Sequence, residues 1–248
     1  MKLGVQLYSL RDQLAADFDS VIPQLAEMKY AGVEPWGGLS VSFEHAAKTF
    51  ARYGLECPSA HLPLLTGDDG RKWLDAAQAL GVKTVVLPWL PESDFADTES
   101  LKRTADKINA SAQAAKAAGF AYGYHNHWFE WTLVNGKPAI DQLATMIDPS
   151  IVFEFDLYWA KVAGYEPAAV LQQFGSRVPL VHLKDGPADG TASSMVAAGD
   201  GVIDFASIFA AATAEWGFVE LDRCATDMTE AIRRSAGFLL GQGWITGK

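Results

Sequence analysis

The sequence predicts an α/β fold, a single (β/α)8 barrel covering residues 1–248, and three observations predict it. The length of 248 residues suits one such barrel, which typically takes about 250. Short apolar runs alternate eight times with longer helical patterns, the arrangement that builds a closed parallel sheet. No linker or shift in composition divides the chain, so one domain is expected.

Taken in order, strands are expected near 3–8, 32–36, 55–61, 82–88, 120–127, 151–157, 178–184 and 217–222. Helices are expected near 18–31, 40–53, 70–80, 97–118, 138–147, 166–175, 203–216 and 227–240. Five junctions share one form, with a glycine between helix end and strand: YAGVEPW, YGLECPSAH, LGVKTVVLP, AGFAYGYH and WGFVELD. Glycine suits a left-handed turn after a helix because it has no Cβ to clash. An open doubly wound sheet is the structural alternative, but it would carry a glycine-rich turn after strand one, where this chain has YSLRDQL.

Composition narrows the function. Apolar residues make up 49% and charged residues 20%, a globular balance. No apolar run reaches the roughly 18 residues of a membrane span, and the chain opens straight into a strand pattern, so a cytoplasmic protein is expected. Cys57 and Cys224 have no metal-site spacing and cannot form a disulfide framework. A net charge of -10 disfavours a phosphate backbone, so nucleic acid is not an expected partner.

In a barrel of this kind the working face is at the carboxyl ends of the strands, and residues two apart on a strand point the same way. Seven strand ends pair polar or amphipathic residues: Gln6 with Tyr8, Glu34 with Trp36, Ser59 with His61, His125 with His127, Glu154 with Asp156, His182 with Lys184, and Glu220 with Asp222. Strand four ends instead in Val85, Leu87 and Trp89, which reads as packing or as an apolar wall. Four of five histidines, His61, His125, His127 and His182, fall on this rim; His45 lies on a helix and reads as a surface residue. Such a cluster is costly to bury unless paired, hydrogen-bonded or bound to a metal, and its mixed nitrogen and carboxylate donors suit Mn, Co, Zn or Mg.

The motifs YHNHWFEW at 124–131, FDLYWAKVAG at 155–164, RVPLVHLKD at 177–185, GDGVIDF at 199–205 and FVELDRC at 218–224 resemble the sugar phosphate isomerase/epimerase proteins of the xylose isomerase-like barrel superfamily. The resemblance runs from GVQLYSLRDQL at 4–14 almost to the chain end. It implies one divalent ion, with Mn favoured, and three ligands carry over directly: Asp156, His182 and Glu220. Where relatives commonly have a glutamate in a segment like LENH, this chain has His125, which takes the fourth place and departs from two-glutamate epimerisation. Imidazole remains able to act as ligand or base near neutral pH, though not readily as both through one nitrogen.

Other roles implied are substrate contact for Glu34, Trp36, His61, His127, Trp159 and Lys184, with His125, Glu220 and Lys184 as catalytic groups and Lys184 stabilising an enediolate. Ion pairing of Lys184 with Glu154 or Glu130 is the competing reading. Glu130, Glu154 and Asp222 are expected to support the ligands from behind. The expected function is a metal-dependent isomerase or epimerase acting on a sugar or polyol; the alternative is a dehydratase or lyase on an inosose-like or keto-sugar substrate. A non-catalytic sugar-binding barrel and an endonuclease IV-like enzyme rank below both. Gly199, Asp200 and Gly201, read as a helix start, offer amides to an anion, but the aspartate disfavours one, which points to an unphosphorylated substrate. A homo-oligomer is compatible with all of these readings.

Overall fold

The computed structural model describes residues 1–248. Eight parallel strands form one sheet: Lys2–Gln6, Gly32–Glu34, Ser59–His61, Thr84–Leu87, Ala121–His125, Val152–Asp156, Leu180–Leu183 and Trp216–Val219. In order of hydrogen bonding they run two, one, eight, seven, six, five, four, three. Strands two and three close the ring through single bridges, Gly32 to Glu56 and Trp36 to His61. Main-chain bonds from Val33 N to Glu56 O and from His61 N to Pro35 O bracket the gap. Cys57 and Pro58 interrupt strand three there, and proline supplies no N–H to the ladder, so the strand is shorter than its apolar run suggests.

The barrel interior is filled at its lower end by Trp216 and Phe218, whose rings stack with centroids 5.8 Å apart. Gly4 and Gly32 make room for them: a Cβ at Gly4 would collide with the Phe218 ring, and one at Gly32 would lie 2.8 Å from Trp216. The glycine junctions therefore differ from expectation. Gly54, Gly81 and Gly119 do adopt the left-handed backbone after a helix, but Gly32 and Gly217 lie inside strands and are required by close packing. Lys29, with φ of 70°, makes the left-handed turn ahead of Gly32, which is why the first helix stops at Glu27 rather than 31.

The helical shell has nine members rather than eight. The additional one, Leu157–Val162, follows strand six directly, started by the Asp156 side chain, which accepts from Trp159 N at 3.0 Å. A small hairpin of Leu133–Val134 with Lys137–Pro138 sits after strand five. The first helical segment, Arg11–Glu27, is kinked at Asp17, whose φ of -158° and ψ of 88° are non-helical, so a helical stretch from Arg11 precedes the one expected from 18. The helix expected from 203 begins at Phe205, capped by Asp204. No helix is long and apolar enough to cross a membrane.

Candidate metal centre

The inward-facing polar residues form two tiers above the aromatic floor of the barrel. The lower tier joins Gln6, Glu34, Ser59 and Glu154, all fully buried. Gln6 Nε2 donates to Glu34 Oε2 at 2.9 Å, and the Ser59 hydroxyl donates to Glu34 Oε1. His61 Nε2 lies 2.5 Å from Glu154 Oε2, and His182 Nε2 lies 3.0 Å from Glu34 Oε2 and 3.2 Å from Glu154 Oε2. Glu34, expected to meet substrate, is therefore buried beneath the site with its oxygens taken by protein partners.

The upper tier holds the four expected ligands. Donor atoms of His125, Asp156, His182 and Glu220 all lie within 4.8 Å of one another, and a second set of His61, His125, Glu154 and His182 meets the same limit. Both sets share His125 and His182. Strand register explains the convergence, because Asp156 lies beside His182, and Glu220 follows a strand whose Phe218 is paired with His182. Two buried atoms in these sets, His125 Nδ1 and Glu154 Oε1, have no hydrogen-bond partner, and Asp156 Oδ2 has only the Lys184 ammonium, 2.8 Å away. Unpartnered buried polar atoms are costly, and a divalent cation among His125, Asp156, His182 and Glu220 would draw on the His125 imidazole and the two carboxylates. The residues present thus fit a metal ion.

Lys184 is the cation that occupies this neighbourhood. Its ammonium donates to Asp222 Oδ2 at 2.7 Å and sits 2.7 Å from Glu220 Oε2 and 2.8 Å from Asp156 Oδ2. The expected pairing with Glu154 or Glu130 is replaced by these three partners. Burial works against the charged amine, but the surrounding Asp156, Asp222 and Glu220 carboxylates hold its pKa well above the usual lysine value.

The electrostatics separate the two central histidines. Burial disfavours charge on His182, yet Glu154 and Glu220 outweigh it and raise its pKa well above the ordinary imidazole value. Its Nδ1 lies 2.8 Å from Glu220 Oε2. His125 goes the other way: burial first, then the neighbouring His182, push its pKa well below the ordinary value, so it is neutral at neutral pH. Burial also opposes charge on Glu220 and Glu154, but Lys184 and His182 for the first, and His182 and His61 for the second, hold both well below the usual carboxylate range. Burial and then Glu154 raise Glu34, and burial raises Asp156 although Lys184 opposes it.

Support for the histidine-bearing loop comes from Glu130, which is fully buried. Its carboxylate accepts from His127 N and from the Tyr124 hydroxyl, each at 2.8 Å. It fixes the main chain of His127, whereas the ring Nδ1 is 3.7 Å away and has no hydrogen-bond partner. Asn126 locks strand five to strand six by accepting from Asp156 N at 3.0 Å.

Above the centre opens a cavity of about 800 Å³ whose lining includes His61, His125, His127 and Glu220 together with Trp36, Trp128 and Trp159. Tyr8, Trp73 and Trp89 complete an aromatic mouth; Val85 and Leu87 of strand four are core packing, and Trp89, beyond the strand end and 53% exposed, is its one contribution to the apolar wall. Lys184, Glu34, Asp156 and His182 do not line this cavity and lie buried behind it. Strand alternation gives no sign of Arg11 and Arg223, which do line it. Gly199, Asp200 and Gly201 are not a helix start. They lie in a loop whose Gly199, Gly201 and Ile203 amides donate to the buried Asp185 carboxylate, so an internal anion fills the cradle and the helix begins later.

Residues 22–239 match the family described as xylose isomerase-like TIM barrel. An inosose dehydratase from Geobacillus kaustophilus is 25% identical over 232 residues, covering 77% of this chain and 74% of that protein. Another, from Clostridium beijerinckii, is 32% identical over 131 residues, covering 46% of this chain and 43% of its own length. Among solved structures, a sugar phosphate isomerase/epimerase from Parabacteroides distasonis superposes with a TM-score of 0.82 at 25% identity, covering 99% of this chain and 95% of that one. A probable 3-DHS dehydratase from Bacillus anthracis gives a TM-score of 0.77 at 15% identity, with 97% and 99% covered, a likeness of fold.

Proposed function

Since the chain belongs to the xylose isomerase-like TIM barrel family, we propose that it is a divalent-metal-dependent enzyme that dehydrates a keto-sugar or keto-polyol. The observation that carries this reading is the convergence of His125, Asp156, His182 and Glu220, of which His125 and Glu220 line an aromatic-walled cavity and Asp156 and His182 lie buried behind them. Those four residues would hold the ion. A bound divalent ion supplies Lewis acidity that polarises a substrate carbonyl and acidifies the adjacent C–H bond.

The protein groups then divide the work. His125 is neutral and offers its lone pair as a ligand. Glu220 is tied to His182 and Lys184 and is not free to act as a base. That leaves His127, which lines the cavity on a main chain fixed by Glu130, its buried Nδ1 turned to within 3.7 Å of Glu130 Oε1. His127 takes the proton from the carbon next to the carbonyl and returns it to the β-hydroxyl, whose C–O bond breaks as a C=C bond forms and water leaves. Trp128 lines the cavity as a stacking partner for the apolar face of the substrate, backed by the buried Trp159, whose ring meets it edge to face with centroids 4.8 Å apart.

Dehydration is preferred to epimerisation because one acid/base group suffices for it, whereas epimerisation needs proton donors on two faces. The likeness to the Geobacillus inosose dehydratase supports the same choice. Isomerisation is the second reading, favoured by the Parabacteroides structure. The test is an NMR time course in deuterated buffer with Mn(II), using an inosose and a panel of keto-sugars. Loss of a β-hydroxyl is expected, with His127→Gln slowed by about 100-fold or more while it keeps its metal. Deuterium incorporated together with an inverted stereocentre or a shifted carbonyl, without loss of hydroxyl, would establish epimerisation or isomerisation instead. No exchange and no product in metal-loaded protein would leave a binding barrel without this chemistry.

Metal uptake should depend on pH with a definite sign. In metal-free protein the raised pKa of His182 keeps it protonated at neutral pH, and a metal must displace that proton. Affinity is therefore expected to rise with pH until the folded-state pKa of His182 is passed, with proton release on binding. Calorimetry in buffers of different ionisation enthalpy measures that release; binding independent of pH between about 6 and 8, a range chosen around the ordinary imidazole pKa of about 6.5, would contradict the assignment of His182. The same shift contributes stability to metal-free protein that is full below about pH 6.5 and lost as pH rises through the folded value.

A further inference from the structure

Arg11 and Arg223 are the lysine or arginine side chains that line the cavity, in a chain of net charge -10. Arg11 follows strand one and Arg223 follows strand eight, and those strands are hydrogen-bonded neighbours, so both stand on one side of the mouth. Neither guanidinium is paired with a carboxylate. Arg11 Nη1 donates to Tyr8 O at 3.0 Å and Arg11 Nη2 to Asp222 O at 3.2 Å, while its planar head lies 4.5 Å from the centre of the Tyr8 ring. Arg223 Nη1 donates to Thr191 O at 2.8 Å.

Two main-chain bonds and a ring face fix the Arg11 fork while leaving its charge uncompensated, and a fixed guanidinium loses little freedom on binding a planar or tetrahedral anion. The carboxylates of the site do not neutralise it. Glu220 and Asp222 are both taken by Lys184. The main-chain amides of the Gly199 and Gly201 loop are not open to an outside anion, because Asp185 fills them.

Building on the proposed function, we infer that the substrate carries an anionic substituent, a carboxylate or phosphate, which Arg11 and Arg223 bind at the mouth while its hydroxyl and carbonyl groups reach the histidine floor. The arginines act as specificity determinants: they select an acidic sugar or polyol derivative over a neutral one, and they draw it against the general negative charge of the protein.

The test uses the full chain with Mn(II) and reads quenching of cavity tryptophans by D-glucuronate, D-glucose 6-phosphate and D-glucose. The anionic probes are expected to bind about tenfold or more tightly than glucose, with that preference shrinking as salt rises. Whichever of the two anions binds more tightly identifies the group. Arg11→Gln should remove most of the preference without altering glucose binding, and Arg11→Lys should restore part of it. Because Arg11 also links two strand ends, Arg223→Gln and the wild-type salt titration give the same reading if Arg11→Gln fails to fold. Equal binding of glucose and both anions to wild type, or equal losses for all three in the variants, would overturn the inference. Dehydration of neutral ketones with no anion preference would do so while leaving the proposed function standing. Anion binding that depends on Arg11, in a protein that exchanges no C–H proton, would do the reverse.

Discussion

His182→Ala is expected to lose the metal and several kcal/mol of stability together. The imidazole stands between three buried carboxylates, 3.0 Å from Glu34, 3.2 Å from Glu154 and 2.8 Å from Glu220, and it belongs to both sets of converging donors. Its removal deletes a ligand and leaves those carboxylates facing each other without the cation that offsets their burial. Breaking a buried ion pair costs about 3–5 kcal/mol. Protonation of Glu34, whose pKa is already raised by burial and by Glu154, will absorb part of that cost. Denaturant midpoints in chelator and metal content after dialysis measure the two losses separately. A variant that still binds one equivalent of Mn(II) would remove His182 from the ligand set.

Lys184→Met is expected to destabilise the metal-free protein by a similar amount, about 3–5 kcal/mol, but with a different response to metal. Methionine fills comparable space without charge, so Asp156, Glu220 and Asp222 lose the ammonium that contacts all three. Two of those carboxylates belong to the proposed ligand set, and the divalent ion carries the charge that the lysine supplied. Metal should therefore stabilise the variant more than it stabilises wild type; a ligand present at about a thousand times its dissociation constant contributes about 4 kcal/mol. Thermal melts across a Mn(II) titration give the comparison. An equal metal-induced shift in both proteins would show that lysine and ion do not share these carboxylates.

Much of this arrangement is legible in the sequence, for a specific reason. Alternation and position at the strand ends put seven pairs of polar residues on one rim, and the family resemblance singles out His125, Asp156, His182 and Glu220 among them. Depth is another matter. Glu34 and Glu154 carry the same alternation signal as the ligands, but strand stagger puts Glu34 beneath the cavity, bonded to Gln6 and Ser59, and brings Glu154 within reach of three histidines. Stagger is a property of the closed ring and leaves no local trace.

Residues beyond the strands are harder still. Tyr8 is paired with Gln6 by spacing, yet the strand stops at Gln6 and a short 3-10 helix from Leu7 to Leu10 turns Tyr8 outward to the mouth. Arg11 has no periodic signal at all; its position follows from bonds to Tyr8 O and to Asp222 O, the latter 211 residues away. The glycine pair at 199 and 201 has the chemistry of an anion cradle and is one, but its anion is Asp185, which no spacing rule connects to it. Local chemistry identifies the donors, and long-range contacts decide which remain free.

Crystals soaked in Mn(II) and measured near the manganese absorption edge test most directly whether one divalent ion sits among His125, Asp156, His182 and Glu220. A single anomalous peak is expected beneath the cavity, about 2.2 Å from a donor atom of each of the four residues. A peak held instead by His61 and Glu154, or no peak after a full soak, would contradict that placement.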